Sequence, residues 1–449
     1  MLPSTPHGQT ARVMATGRPL RIAMLVANPG TGDARVMKEA ESLVGAGHAV
    51  TVFCLAAHGL PVEEAVAGVT YRRCREWHRA RTPGPVGDLA SAPARQGLLS
   101  NIKSLIAPFV RHELLSMTFL EAVVAAVPDI IHAHDFETLP AAVRAAGRTG
   151  ARVIYDMHEL EEGRHPSPGP VLAGWKRNLE ARALRRVSAT LTVSPSIARF
   201  KAQAYDIPQP TLVLNAPRLG AASGPGLRAR CGLADDVPLA VYTGNASEGR
   251  GIEQFIESIE QYEGMQLAML GQIRPGLRAF LEASRERLGG RLHLLDPVPH
   301  DEVVAHIASA DLGICTIPGS CLSYDYCLPN KLFEMTLAGL PVVVSNTTEL
   351  SRFVAETGTG IAVNAADPAA IRAGIAQVYA ARHSLRPDAA ALASLRARFA
   401  WERQAERLIE VYAAVANGPQ GLPAAMARRA LATGWRPMGR PAAALGSGG

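Results

Sequence analysis

Lys331 and Glu334 stand three residues apart where a short helix is expected to begin, in Ser323-Tyr-Asp-Tyr-Cys-Leu-Pro-Asn-Lys-Leu-Phe-Glu334. Pro329 precedes the helix, Asn330 is placed to cap it, and Gly339-Leu-Pro341 stops it. A helix N-terminus with an added lysine suits an anionic ligand. A carboxylate one turn in can accept hydrogen bonds from a ribose diol. The pattern therefore fits a nucleotide-diphosphate site at the carboxyl edge of an α/β sheet. It also fits an ordinary helix with a surface lysine and glutamate.

A second group is Tyr242-Thr-Gly-Asn-Ala-Ser-Glu-Gly-Arg-Gly-Ile-Glu253. Gly249 and Gly251 let backbone amides approach a ligand, and Arg250 between them can fork onto phosphate oxygens. The Gly-Lys-Ser/Thr ending of a Walker loop is absent. A third group, His132-Ala-His134-Asp135-Phe-Glu137, falls at a strand's carboxyl end. His132 reads as packed core, while His134 and Glu137 read as functional. A fourth is Tyr155-Asp-Met-His158-Glu159, where His158 and Glu159 are placed to bind or deprotonate a hydroxyl. Arg35 follows a loop with Gly30 and Gly32. It either touches acceptor or diphosphate, or pairs with Glu39 one turn on. Three ligands with fixed metal spacing are not apparent, so no metal is expected.

These residues need two sheets to hold them. Residues 1–19 read as a disordered leader without an apolar signal core. Strands are expected at 21–28, 48–55, 129–134, 152–158, 189–194 and 211–216, with Asp33 capping a helix over 33–46. Residues 82–96 read as a loop. A linker, 219–237, separates this domain (20–218) from a second one (238–395). The second domain's strands are expected at 239–244, 266–271, 292–296, 312–317, 342–345 and 360–363. One helix over 392–416 (396–416 lying beyond the second domain) and a disordered tail, 417–449, complete the chain. The alternation gives an α/β fold of two doubly wound parallel sheets, Rossmann-like, facing across a cleft.

The formal charge is +6, and four tail arginines without an acid supply most of it. The remaining balance and the lack of a basic stripe exclude a nucleic-acid footprint. No apolar run is long enough to span a bilayer. The six cysteines form no C-x-x-C pair and read as free thiols of a reducing cytoplasm.

In this order the motifs resemble the retaining GT-B glycosyltransferases of group 1, often called family 4. The resemblance rests on Asp33-Ala-Arg-Val-Met-Lys-Glu-Ala with Gly47-His-Ala-Val-Thr-Val, His132-Ala-His-Asp, Tyr155-Asp-Met-His-Glu-Leu and Asn215-Ala-Pro. It rests equally on Gly244-Asn-Ala-Ser-Glu-Gly-Arg-Gly and Leu328-Pro-Asn-Lys-Leu-Phe-Glu with Ala338-Gly-Leu-Pro-Val-Val. It implies a nucleotide-diphosphate sugar as donor and substrate, no cofactor, and a hydroxyl acceptor, glycan or lipid-linked. The implied donor residues are Gly249, Arg250, Gly251, Asn330, Lys331 and Glu334. Arg35, Asp135, His158 and Glu159 are the acceptor set, and His134 or Glu137 faces the reacting sugar. The family carries two glutamates separated by seven residues; here Tyr326 takes the first position. Other readings are a nucleotide-sugar epimerase or hydrolase of this fold, or a non-catalytic nucleotide-sugar-binding protein. The basic, apolar stretches 101–115 and 175–186 suit either an anionic membrane surface or packed amphipathic helices. The expected place is therefore cytoplasmic, or peripheral on the inner membrane face.

Overall fold

The computed structural model describes residues 18–76, 98–163 and 169–418. The expected loop 82–96, the leader before Arg18 and the tail beyond Gly418 lie outside the described residues.

The first sheet has eight strands. In chain order they are β1 (Arg21–Leu25), β2 (Ala49–Leu55), β3 (Glu63–Val66), β4 (Val69–Cys74), β5 (Ile130–His134), β6 (Arg152–Met157), β7 (Ala189–Thr192) and β8 (Thr211–Leu212). Their spatial order is β3-β4-β2-β1-β5-β6-β7-β8. All neighbours are parallel except β3 and β4. That hairpin is absent from the sequence reading. It turns at Ala67-Gly68, both with positive φ, which suits a tight two-residue loop.

The second sheet has six parallel strands: β9 (Leu239–Thr243), β10 (Gln266–Leu270), β11 (Leu292–Leu295), β12 (Leu312–Cys315), β13 (Val342–Ser345) and β14 (Gly360–Val363). The order β11-β10-β9-β12-β13-β14 reverses direction between β9 and β12. Ligands of such sheets bind at that switch point, beyond the strands' carboxyl ends. In the first sheet the corresponding reversal lies between β1 and β5. Strands such as Val342-Val-Val-Ser345 are buried throughout, as expected for a parallel sheet covered on both faces.

The expected single helix over 392–416 is two helices, Ala389–Phe399 and Trp401–Asn417. Ala400 has ψ 156° and breaks them. Phe399 joins Phe333 and Phe353 in the second domain's core, whereas Trp401 belongs to the core of the first. The last helix thus returns to the first domain. Trp401 Nε1 donates to Ser42 Oγ at 2.9 Å.

The segment 101–115 lies within a helix, Leu98–Ala125, that packs against the helix Asp135–Thr149. His112 stacks on Phe136, and Trp175 meets Phe109 and His112 edge-on. Trp175 belongs to the second basic stretch, so the two stretches pack on one another. Among the described residues, no helix is long and apolar enough to cross a membrane.

Candidate functional site

In the first domain, polar groups from three elements converge at the carboxyl ends of β5 and β6. The helix Ala34–Gly45 starts at its cap Asp33, which accepts from Val36 N. Its Arg35 and Glu39 lie on one face, i and i+4. His132 and His134 alternate along β5 and so share a face. Asp156 of β6 sits opposite His134 in register.

Arg35 is 2% exposed and forks onto Asp156, Nε–Oδ2 2.8 Å and Nη2–Oδ1 3.0 Å. It also lies 3.0 Å from Glu39 Oε1 and donates to Val213 O. This corrects the acceptor-contact assignment for Arg35. Its donors are spent on buried partners, and the pairing with Glu39 is present. Burial opposes charge on Asp156, yet Arg35 and His158 hold its carboxyl well below the usual range. Glu39 lacks such a fork, and burial pushes its carboxyl up. One guanidinium thus faces two buried carboxyls and forks onto Asp156 alone.

His132 Nδ1 is 2.7 Å from Tyr412 Oη, as a packed strand histidine should be. His134 stacks on His132 with ring centroids 4.2 Å apart, and is 1% exposed. Its proposed place at the reacting sugar is therefore corrected: it lies behind His158, which it meets at Nδ1–Nε2 3.3 Å. His158 is the more accessible of the two, with 18% of its side chain exposed. Its Nε2 is 3.0 Å from Asp156 Oδ2 and its Nδ1 3.2 Å from Asp135 Oδ2. Burial disfavours a charged imidazole, but these two carboxylates raise it well above its ordinary value. Asp135 has φ +60°, rare for a residue with a side chain. Its Oδ1 accepts from His158 N at 3.1 Å. Glu137 is half-buried in the first turn of the helix Asp135–Thr149, and Glu159 is exposed after β6.

Glu39, His132, His134 and Asp156 offer ligand atoms within 4.8 Å of one another. That spacing would admit a metal ion. Arg35 already supplies the cation there, and a divalent ion would have to displace or repel it.

In the second domain, β9 runs into the glycine loop at the switch point. Gly249 and Gly251 have φ +74°. A Cβ at Gly251 would lie 2.5 Å from Thr316 O, so only glycine lets this loop close on the end of β12. Arg250 stacks over Tyr324 at 5.4 Å. The helix Asn330–Leu337 begins one residue earlier than expected: Pro329 is its cap, and Asn330 is its first residue. Lys331 and Glu334 are nearly buried, at 7% and 8% exposure. Arg250, Lys331 and Glu334 all act electrostatically on Cys315 at the end of β12, whose thiol burial pushes up to about 12. Lys331 and Glu334 both reach the end of β9, the ammonium over the Tyr242 ring and the carboxylate at Thr243, and Arg250 lies on the loop that follows that strand.

The two domains meet beside this point. Tyr326, like Phe200, packs against the cluster of Leu160, Val193 and Ile197 of the first domain. Leu160 N donates to Ser323 Oγ at 3.4 Å, and Ser196 N to the buried Glu349 Oε1 at 2.8 Å. Glu159 acts on the thiol of Cys327 across this seam.

Two family profiles match the chain. The glycosyl transferase 4-like domain covers residues 30–217, and glycosyl transferases group 1 covers residues 237–381. The chain is a group 1 glycosyltransferase. This glycosyltransferase is 25% identical over 432 residues to a D-inositol 3-phosphate glycosyltransferase of Nocardia farcinica, covering 88% of this chain and 90% of that one. It is 24% identical over 311 residues to a glycogen synthase of Mycobacterium tuberculosis, covering 65% and 70%. Among solved structures, sucrose-phosphate synthase of Thermosynechococcus elongatus superposes with a TM-score of 0.68 at 18% identity, over 88% of this chain and 98% of that one. Anabaena HepE in complex with UDP gives 0.62 at 15% identity, over 88% and 100%. The fold of the glycosyltransferase is therefore GT-B.

Sequence reasoning passed over Asp156, Tyr412, Tyr242 and Thr243. Asp156 had a signal, since it lies two residues before His158 on the same strand edge. Tyr412 had none, because it arrives from the last helix.

Proposed function

We propose that this glycosyltransferase moves a sugar from a nucleotide-diphosphate donor to a hydroxyl acceptor with retention of configuration, in glycan or glycolipid synthesis. The observation that carries the donor half is that Lys331 and Glu334 meet Tyr242 and Thr243 at the end of β9, next to the switch point, with Arg250 on the glycine loop that follows. Lys331, Arg250 and the helix start after Pro329 stabilise the departing diphosphate. Glu334 accepts from the ribose diol. Structural relatives bound to UDP and UDP-glucose support a donor of this kind. Asp135, His158 and Glu159 serve the acceptor, and Glu137 faces the reacting sugar. A thermal-shift panel of UDP-, GDP-, ADP- and dTDP-sugars tests the reading, because a ligand of the native state raises stability by mass action. No shift with any of them would sink it.

Turnover is expected to survive exhaustive EDTA treatment. Two side-chain cations serve the diphosphate, and Arg35 fills the one metal-like cluster among the described residues. Complete loss, restored by a divalent ion, would contradict this.

A lipid-linked acceptor is supported by a groove of about 380 Å³ on the first domain. It is lined by Arg144, Arg182, Arg185 and Arg186 together with Val143 and Leu179. Each basic residue near an anionic lipid surface contributes about 1 kcal/mol. The triple variant R182A/R185A/R186A is expected to lose salt-sensitive liposome binding while keeping turnover on soluble acceptor. Undiminished liposome binding would remove this partner.

A further inference from the structure

Strand β9 ends in Tyr242 and Thr243, which are 2% and 1% exposed. Each touches one of the two donor side chains on the helix Asn330–Leu337. The ammonium of Lys331 stands 3.6 Å above the centroid of the Tyr242 ring. Thr243 Oγ1 donates to Glu334 Oε2 at 2.5 Å. The ring is itself fixed. It stacks on Phe255 at 5.2 Å with 24° between planes, and its hydroxyl donates to Asn245 O at 3.2 Å. Beyond Thr243 the backbone opens: a Cβ at Gly244 or Gly249 would meet nothing within 4 Å.

We propose that Tyr242 and Thr243 are positioning residues of the donor subsite, the ring setting Lys331 and the hydroxyl setting Glu334. The inference rests on the donor reading given above. A carboxylate has about four lone-pair sites. Thr243 takes one on Oε2, which restrains the rotation of the group and leaves Oε1 for the ligand. Without that donor the nearly buried carboxylate would have to turn toward another partner. An ammonium over an aromatic face is held electrostatically and more strongly when desolvated, and Lys331 is nearly buried. The helix start presents its two side chains in ligand-ready rotamers because the neighbouring strand holds them there. Binding then costs less side-chain ordering.

The test uses the full-length protein and isothermal titration with whichever of UDP, GDP, ADP and dTDP binds tightest. Thr243→Val keeps the shape and removes the hydroxyl; it is expected to weaken binding about tenfold, as loss of a hydrogen bond to a charged group does. Thr243→Ser restores the hydroxyl and should bind within about twofold of wild type. In the Glu334→Gln background, Thr243→Val should add little further loss, since the two act as one unit. Tyr242→Phe keeps the ring and should be near neutral, whereas Tyr242→Leu should weaken binding about fivefold. Arg250→Ala separates the two levels. If it binds as wild type does, the donor reading falls and the inference with it. If Arg250→Ala weakens binding while Thr243→Val and Tyr242→Leu do not, the inference alone is overturned. Equal losses for Thr243→Val and Thr243→Ser would also overturn it, because they would report packing rather than the hydroxyl.

Discussion

Replacing Arg35 by alanine is expected to cost the first domain about 3–5 kcal/mol, the usual effect of breaking a buried ion pair from one side. Among the described residues only Arg35 and His132 lie within ion-pair distance of both Asp156 and Glu39; burial disfavours charge on the imidazole, and both carboxyls are fully buried. Without it, Asp156 must stay charged against His158 alone or take up a proton. Since a domain of this size shifts by roughly 2–4 °C per kcal/mol, calorimetry should show a melting transition lowered by at least about 6 °C. The double variant Arg35→Met with Asp156→Asn removes both charges and should recover much of the loss. The opposite outcome, an unchanged melting temperature with a raised acceptor KM, would return Arg35 to the acceptor surface. The distinction matters for the mechanism. A buried Arg35 acts only through Asp156 and His158, whose contacts end at the half-exposed Asp135.

The sequence made the sheets legible because parallel strands covered on both faces must be apolar runs, and those runs end in glycine or polar residues. All twelve parallel strands named from such runs lie in the two sheets, mostly one to three residues shorter than expected. The hairpin Glu63–Val66 and Val69–Cys74 escaped, since its outer strand is largely exposed and polar and carries no apolar pattern. The short helix carrying Lys331 and Glu334 was legible from local chemistry, whereas the near-complete burial of both side chains was not. The first-domain cluster was only half legible. The pairs Arg35–Glu39 and His132–His134 are visible as periodicities of four and two. Their burial is not, because it comes from Val213 and Tyr412, at 178 and 280 residues' distance. Periodicity places side chains on one face of an element; what covers that face is decided by the tertiary fold. For the same reason His134 read as a cleft residue, although the ring of His158 stands in front of it. Tyr326 shows the reverse case. As a departure from a paired glutamate it looked like a lost ligand contact, but it joins the apolar seam between the domains.

Lys331→Ala is expected to weaken nucleoside diphosphate binding by about 1.5–3 kcal/mol, and Arg250→Ala by the lower part of that range. The order follows from solvation. Lys331 is 7% exposed and held against Tyr242, so its charge acts in a poorly screened place. Arg250 sits on the glycine loop over Tyr324 at 5.4 Å, with more freedom and more water. Titrating each variant with the nucleoside, its monophosphate and its diphosphate localises the loss. If the two cations serve the diphosphate, wild type should gain affinity with each phosphate, and the variants should lose that gain while binding the nucleoside unchanged. Glu334→Gln should behave in the opposite way, weakening all three ligands alike, because its contact is with the ribose they share. Raised salt should erode the Arg250 contribution before that of Lys331. Variants at 250 and 331 that weakened the nucleoside as much as the diphosphate would move the phosphates elsewhere. The first domain's facing edge, at the β1–β5 switch point, would then be the place to look for the cations that hold them.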